Sequence, residues 1–423
     1  MENQRNVRIL KIVLSFIIIL ELSTVIFLFA NKQTLTKKTD VGNISQKKNS
    51  GINIFYEKIP GSKFHGPDGT WWGYNQSKIV RFENFVFMYV IENQDDKNTT
   101  LSDFVVYKKM GNQPWEKGAA FKTSRPGNIL IDSQGVLHAF VFEPTNVVKN
   151  DSWGKLKHYW FPSAQKGDVI NYEEETVIDN NGTAETVNIR AAAAISEDDT
   201  MAIGFGLTMN NPLYKGHSEH LYIKKSTDLK WQHLIAGENL GHDWYYPFIW
   251  MGKNSYYLLP IQDDYNGSGT HQMPYPNIYQ KIIYFEYSNR NWQKELVADL
   301  SSQPLAKKRP RLLEQEDLYK DKGGNVHILY KEFLDEKMEW NATSHVHLSK
   351  ASGGFSEERI PKIGSENINW IRMFEIDSSL YYFYVLYDSA YIRKAGTQKL
   401  ISLPIPKDAR GMYPYIATKR GGT

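Results

Sequence analysis

From residue 51 onward, apolar and polar positions alternate in short runs of strand length, separated by Gly, Asn, Asp and Ser turns. No long stretch carries the three-to-four residue spacing of an amphipathic helix. The run "RPGNILIDSQGVLHAF" (125–140) sets the pattern: a basic residue, a short apolar run, a polar turn with glycine, then apolar alternation. The same order returns at "RAAAAISEDDTMAIGF" (190–205) and "RLLEQEDLYKDKGGNVHILY" (311–330), and more loosely at "RMFEIDSSLYYFYVLY" (372–387). Each such hairpin is followed by a variable loop and a second hairpin, and the outer turns "YKKMGNQPW", "IKKSTDLKW", "EYSNRNW" and "LSKASGGF" all end on an aromatic.

Six groups of this kind are visible, each with four strands in roughly 50–65 residues, which is the period of a propeller blade. Many of the apolar runs are continuous, as expected of sheets buried on both faces. The pattern therefore predicts an all-β, six- or seven-bladed β-propeller of four-stranded blades over residues 51–423. The segments "INIFYEKI" (52–59) and "GMYPYIAT" (411–418) are expected to close the last blade or to share a seventh.

The N-terminus departs from this pattern. Residues 9–30 form an apolar run, interrupted by Lys11 and Glu21, about long enough to span a bilayer as a helix. No small-residue cleavage site precedes Asn31, so 1–30 reads as an uncleaved signal anchor and transmembrane helix. Residues 31–50 are polar and read as a flexible tether. The expected location is the cell membrane, single-pass, with the propeller extracytoplasmic, or secreted were the segment cleaved.

Composition narrows the chemistry. Aromatics make up 13% of the chain, with 26 Tyr and 11 Trp, which suits strands. A formal net charge of +3 without a basic stripe gives nucleic acid no support. The absence of cysteine excludes disulfides, thiolate zinc sites and thiol nucleophiles. No Walker, Rossmann or Gly-x-Ser-x-Gly element occurs.

The outer turns resemble degraded Asp-box turns, Ser-x-Asp-x-Gly-x-x-Trp, of sialidase-like BNR-repeat propellers. "STDLKW" keeps Ser226, Asp228 and Trp231 but is shortened and lacks the glycine. The stretch "GTWWGYNQSKIVRFENFVFMYVI" followed by "SRPGNILIDSQGVLHAFVF" resembles the first blades of BNR-type propellers found among polysaccharide lyases. That likeness implies a carbohydrate-active, extracellular protein.

In a propeller the innermost strand of each blade starts at the channel mouth. Arg125, Arg190, Arg311 (with Arg309 beside it) and Arg372 stand at those starts. Converging guanidinium groups there form a receptor for carboxylate or sulfate. The alternative is that each pairs with an acid of a neighbouring blade. "HDWYYPF" (242–248) supplies His242, Tyr245 and Tyr246 for proton transfer and sugar stacking. "QDDYNGSGTHQMPYP" (262–276) supplies Asp263, Asp264, His271 and Tyr275, and "FHGPDGTWWGYNQSK" (64–78) adds Trp71, Tyr74 and Asn75. Packing between blades competes with ligand stacking for Trp71 and Trp72. His138 and His327 occupy matching places on apolar strands and read as buried structural residues. No cofactor is expected, apart from Ca²⁺ as an option at Asp263–Asp264.

Two function classes follow. One is an enzyme on an acidic polysaccharide or glycan: a β-eliminating lyase with an arginine clamp and His242, Tyr245 or His271 moving protons, or a sialidase-like glycoside hydrolase. The other is a non-catalytic propeller scaffold binding a cell-surface glycan or a protein partner.

Overall fold

The computed structural model describes residues 75–92, 102–123, 127–148, 151–179, 191–208, 217–236, 242–264, 279–300, 312–333, 344–351, 354–361, 368–386 and 389–403, with Ile363 and Ile416. The predicted anchor and tether, and the strand segment 52–59, lie outside the described residues, as does 411–418 apart from Ile416. Among the described residues no helix is long and apolar enough to cross a membrane.

Six four-stranded antiparallel sheets form a six-bladed propeller, each built from contiguous sequence. Blade 1 is β1 (Ile79–Phe82), β2 (Phe85–Glu92), β3 (Ser102–Met110) and β4 (Glu116–Thr123). Blade 2 is β5 (Asn128–Ile131), β6 (Leu137–Val148), β7 (Asp151–Phe161) and β8 (Glu173–Asp179). Blade 3 is β9 (Ala192–Ile195), β10 (Met201–Thr208), β11 (His217–Lys224) and β12 (Gln232–Ala236). Blade 4 is β13 (His242–Met251), β14 (Tyr256–Asp264), β15 (Tyr279–Ser288) and β16 (Asn291–Asp299). Blade 5 is β17 (Leu312–Lys320), β18 (Val326–Phe333), β19 (Ser344–Ala351) and β20 (Gly354–Ile360). Blade 6 is β21 (Ile368–Ile376), β22 (Ser379–Leu386), β23 (Ala390–Lys394) and β24 (Leu400–Leu403). These are the six sequence groups, hairpin for hairpin.

The blades hold together through apolar seams. Phe87, Phe104, Phe140, Phe161, Phe248 and Phe374 are fully buried, each stabilising the fold by about 2–3 kcal/mol. Between blades 1 and 2, Phe121 stacks on Tyr159 at 3.9 Å. Two outer-turn aromatics meet rings of the neighbouring blade: Trp231 of blade 3 meets Phe140 of blade 2 at 5.7 Å, and Phe355 of blade 5 meets Tyr284 of blade 4 at 6.2 Å; Trp115 and Trp292 pack on residues of their own blades 1 and 4. Ile416 packs against the blade 6 cluster around Phe374.

The first strands of successive blades lie side by side around the channel. They differ between the two halves of the ring. In blades 1 to 3 the inner strands are four residues long and pair regularly. In blades 4 to 6 they run to ten, nine and nine residues. Each of the three carries an irregularity: between Tyr245 and Phe248, between Gln315 and Asp317, and between Ile368 and Trp370. In the first, Tyr246 sits at φ +50°, a left-handed conformation that a bulky residue adopts only under constraint.

Candidate functional site

An inner strand is a sheet edge. Its outward N–H and C=O groups have no strand partner, and once buried they must be satisfied some other way. Side chains of neighbouring and opposite blades form a polar belt that does this.

In the first half of the ring carboxamides make the bonds between blades, and the one buried cation described at an inner strand, Lys78, lies over the Tyr89 ring at 5.8 Å. Asn128, at the start of β5 and fully buried, accepts from the Ser77 and Ala193 amides through Oδ1 at 2.9 and 3.1 Å. Its Nδ2 donates to Ala191 O at 3.0 Å. One amide thus joins the inner edges of blades 1, 2 and 3. Asn75, just before β1, donates across the channel to Pro247 O of blade 4 at 2.9 Å. That bond ties opposite blades together.

In the second half the belt is charged. Gln315 donates to Tyr246 O at 2.6 Å, holding the β13 bulge. Glu316 and Asp317 follow it on β17, and both are buried. Glu316 Oε1 accepts from the Ile371 amide at 3.2 Å, and Asp317 Oδ2 from the Met373 amide at 2.6 Å. Arg372 answers from β21: it donates to Glu316 O at 2.7 Å, lies 3.5 Å from Asp317 Oδ1, and rests on the Phe248 ring of blade 4 at 5.1 Å. His345 of β19 is hydrogen-bonded through Nδ1 to Glu316 Oε2 at 2.7 Å and through Nε2 to Ile368 O at 3.0 Å. Burial pushes the Asp317 carboxyl up to about 6, against the attraction of Arg372 and the amides of Met373 and Leu318.

Toward the strand starts, above the belt, Lys331 of β18 sits 2.7 Å from Glu314 Oε2 and 3.6 Å over the Trp370 ring. Tyr246 meets Tyr279 edge-on at 6.4 Å in the same region. This end of blades 4 to 6 combines cation, carboxylate and aromatic faces over a rigid floor.

The predicted site residues distribute as follows. Asn75 and Arg372 belong to the belt; Arg372 is 5% exposed and pairs with acids of the neighbouring blade, the alternative weighed for the arginines. His242, Tyr245 and Asp263 occupy the strand-start end of blade 4, where His242 pairs with Asp264, Asp243 with Asp263 and Tyr245 with Ile261. Trp71, Tyr74, Arg125, Arg190, His271, Tyr275 and Arg311 lie outside the described residues. Among the described residues no cluster of three or more His, Asp or Glu is arranged to hold a metal ion. His138 and His327 are buried, as their setting on apolar strands suggests.

Reasoning from sequence missed Asn128, Gln315, Glu316, Asp317, His345 and Lys331. One signal was present: "EQED" (314–317) puts four polar residues in the middle of a strand that must be buried.

No family model matches the sequence, and neither does any curated protein sequence. Among solved structures, a polysaccharide lyase described as a PL25 ulvan lyase bound to -[GlcA(1-4)Rha3S]- aligns with TM-score 0.53 and 11% identity, over 79% of this chain and 84% of that one. The polysaccharide lyase Uly1 aligns with TM-score 0.50 and 9% identity, over 85% of each chain. A Trypanosoma rangeli sialidase aligns with TM-score 0.44 and 12% identity, over 77% of this chain and 53% of that one. The likeness to the lyases is one of fold, and it extends over most of both chains.

Proposed function

We propose that this chain is a membrane-tethered, extracytoplasmic propeller that acts on an acidic polysaccharide at the strand-start end of blades 4 to 6. The observation that carries the reading is the concentration there of three long, bulged inner strands over a charged belt. Bulges re-aim side chains at the rims of β-structures and recur beside active sites. A propeller fold shared with lyases, one of them bound to a glucuronate-containing repeat, supports the same substrate class.

In this reading Arg125, Arg190 and Arg311 meet substrate carboxylates at the mouth, and Arg372 braces the floor beneath them. Trp71, Tyr74, Asp263 and Tyr275 complete the substrate contacts, and Asn75, buried in the belt, braces the floor with Arg372. For β-elimination, neutralising the uronate carboxylate acidifies the C5 proton. His242 or Tyr245 takes that proton while the C4–O bond breaks. The bond's electrons leave with the oxygen, which receives a proton from His271 or water, and a C4–C5 double bond remains.

A non-catalytic, glycan-binding reading is favoured by one observation: Glu316, Asp317, Arg372 and His345 are all partnered within the protein. One experiment separates the two. The purified full-length chain is incubated with uronate-containing and neutral polysaccharides, following unsaturated-uronate absorbance, new reducing ends and gel retardation. Absorbance that is abolished by Arg125→Ala and His242→Ala, with melting temperature little changed, is the expected result. Retardation alone supports the binding reading. Silence in all three overturns both.

A further inference from the structure

The two ends of the propeller differ in what they expose. In each blade the antiparallel order brings the turn between first and second strands and the turn between third and fourth to one end, opposite the strand starts. Among the described residues six large apolar side chains are exposed, and five of them stand at third-to-fourth turns of that end. They are Met110 of blade 1, Ile170 and Tyr172 of blade 2, Leu229 of blade 3 and Leu400 of blade 6. The sixth, Leu296, lies within β16. The inner turns and the strand-start end expose none among the described residues. Blades 6, 1, 2 and 3 follow one another around a six-bladed ring, so the five form an arc along one rim.

Single exposed apolar residues are ordinary on a protein surface. Their confinement to one rim, on backbone that is held in place, is what asks for a cause. Leu229, 93% exposed, follows Asp228, which closes the turn by accepting from the Lys225 amide at 3.3 Å. In blade 2, Asp168 accepts from the Ile170 and Asn171 amides at 2.9 and 3.1 Å. The Val169 carbonyl accepts from the Ala119 amide of blade 1 at 2.8 Å, and Tyr172 meets Phe121 and Tyr159 edge-on at 5.0 and 5.4 Å. The backbone keeps these side chains in water, where polar residues would serve the blades as well.

Charge follows the same rim. Lys166, Lys225, Lys230, Lys394 and Lys399 are exposed in or beside these turns. Of the acids there, Asp168 and Asp228 turn back onto their own backbone, Glu116 pairs with Lys108 at 3.0 Å, and Glu174 pairs with Lys157 at 2.9 Å. That leaves Glu173 against the five exposed lysines.

Apolar side chains interleaved with lysines suit the surface of a bilayer: the first enter the boundary between headgroups and acyl chains, and the second meet anionic headgroups. A protein partner needs one continuous complementary patch, whereas fluid lipid takes each side chain of a spread arc separately. We propose that this rim rests on the bilayer in which residues 9–30 anchor the chain, with the strand-start mouth turned toward solvent. The inference builds on the membrane-tethered reading above. Residues 31–74 reach up to ~150 Å when extended, so the tether alone lets either end of the propeller meet the membrane. The apolar rim selects one end, and it is the end that leaves the mouth open to a polymer.

The chain has no cysteine, so one introduced thiol carries a nitroxide label to a chosen place. Thr227→Cys and Asn171→Cys set the label on the rim, and Lys122→Cys, beside Asp103 at the strand starts, sets it at the opposite end. The full-length chain is placed in bilayer nanodiscs of phosphatidylcholine and phosphatidylglycerol, and the collision of each label with a water-soluble relaxant is measured. Both rim labels are expected to be shielded, and the label at 122 to stay open. Leu229→Ser combined with Ile170→Ser is expected to reopen the rim, and Lys230→Ala to weaken the docking equilibrium about fivefold. Rim labels as open as the one at 122, in a chain that stays with its disc, would overturn the docking and leave the tether standing. A chain that does not enter the discs would overturn the tethered reading and this proposal with it. Shielding that appears only in discs holding two chains would assign the rim to a second copy, against the proposal.

Discussion

Blades 1 to 3 and blades 4 to 6 meet the same requirement with different chemistry. Short, regular inner strands in the first half leave N–H and C=O groups alternating toward the channel. A carboxamide offers an oxygen that accepts twice and a nitrogen that donates, so Asn128 alone ties three blades. A bulge disturbs that alternation. In blade 5 the irregularity between Gln315 and Asp317 lets the consecutive side chains of Glu316 and Asp317 both reach blade 6, where they accept from the Ile371 and Met373 amides. Two buried carboxylates then require polar partners, and the Arg372 guanidinium and the His345 ring answer them. The comparison teaches that charge enters the core of this propeller where the strand geometry departs from regularity.

The sharpest way to break the comparison is to remove the cation. Arg372→Met leaves Asp317 without its ion pair and the Glu316 carbonyl without this donor, and is expected to cost about 3–5 kcal/mol in a denaturant melt. Asn128→Ala strands two amides and a carbonyl and is expected to cost less, about 2–3 kcal/mol. Equal losses would erase the distinction between an ion-paired half and one bonded through carboxamides.

A third test uses pH. Asp317, raised to about 6, holds a proton above about 4 that the unfolded chain has released. Its contribution is therefore present at low pH and is lost as pH rises through about 6. His158 has the opposite sign, since its contribution is lost as pH falls toward about 4. The two oppose each other in the wild type. Asp317→Asn is expected to make the melting temperature fall more steeply on acidification between these values. An unchanged slope would mean that Asp317 does not titrate there.

The smallest effect belongs to the surface. The β15–β16 turn places Asn289 and Arg290 at φ +51° and +64°. Arg290→Gly relieves a left-handed residue far from the belt and is expected to stabilise by about 0.5–1 kcal/mol. A loss of stability there would mean that the blade 4 turn carries a constraint beyond its own backbone.

What the sequence determined by itself was local in origin. Alternation of apolar and polar residues, punctuated by turn residues, marked six groups of four strands but left six or seven blades open, because strand formation and hairpin closure are decided within about ten residues whereas ring closure is not. It also marked His138 and His327 as buried, since both interrupt runs that have no solvent face. The odd composition of 314–317 was equally visible, but its meaning was not.

Tertiary structure decided the rest. Asn75 reaches a carbonyl 172 residues away, and Glu316 meets Ile371 and Arg372 across 55 and 56 residues. The paired histidines of blades 2 and 5, His138 with His158 and His327 with His347, repeat a spacing legible in the chain, yet Lys224, which meets the His158 partner Glu175, and Tyr382, which meets His347, come from the next blade. Arg372 has the position of a mouth arginine in the sequence and the environment of a core ion pair in the fold. Periodicity says which face of a strand is apolar. Which buried donor finds which acceptor depends on how the blades close into a ring, because only then do sheet edges lose water and need one another.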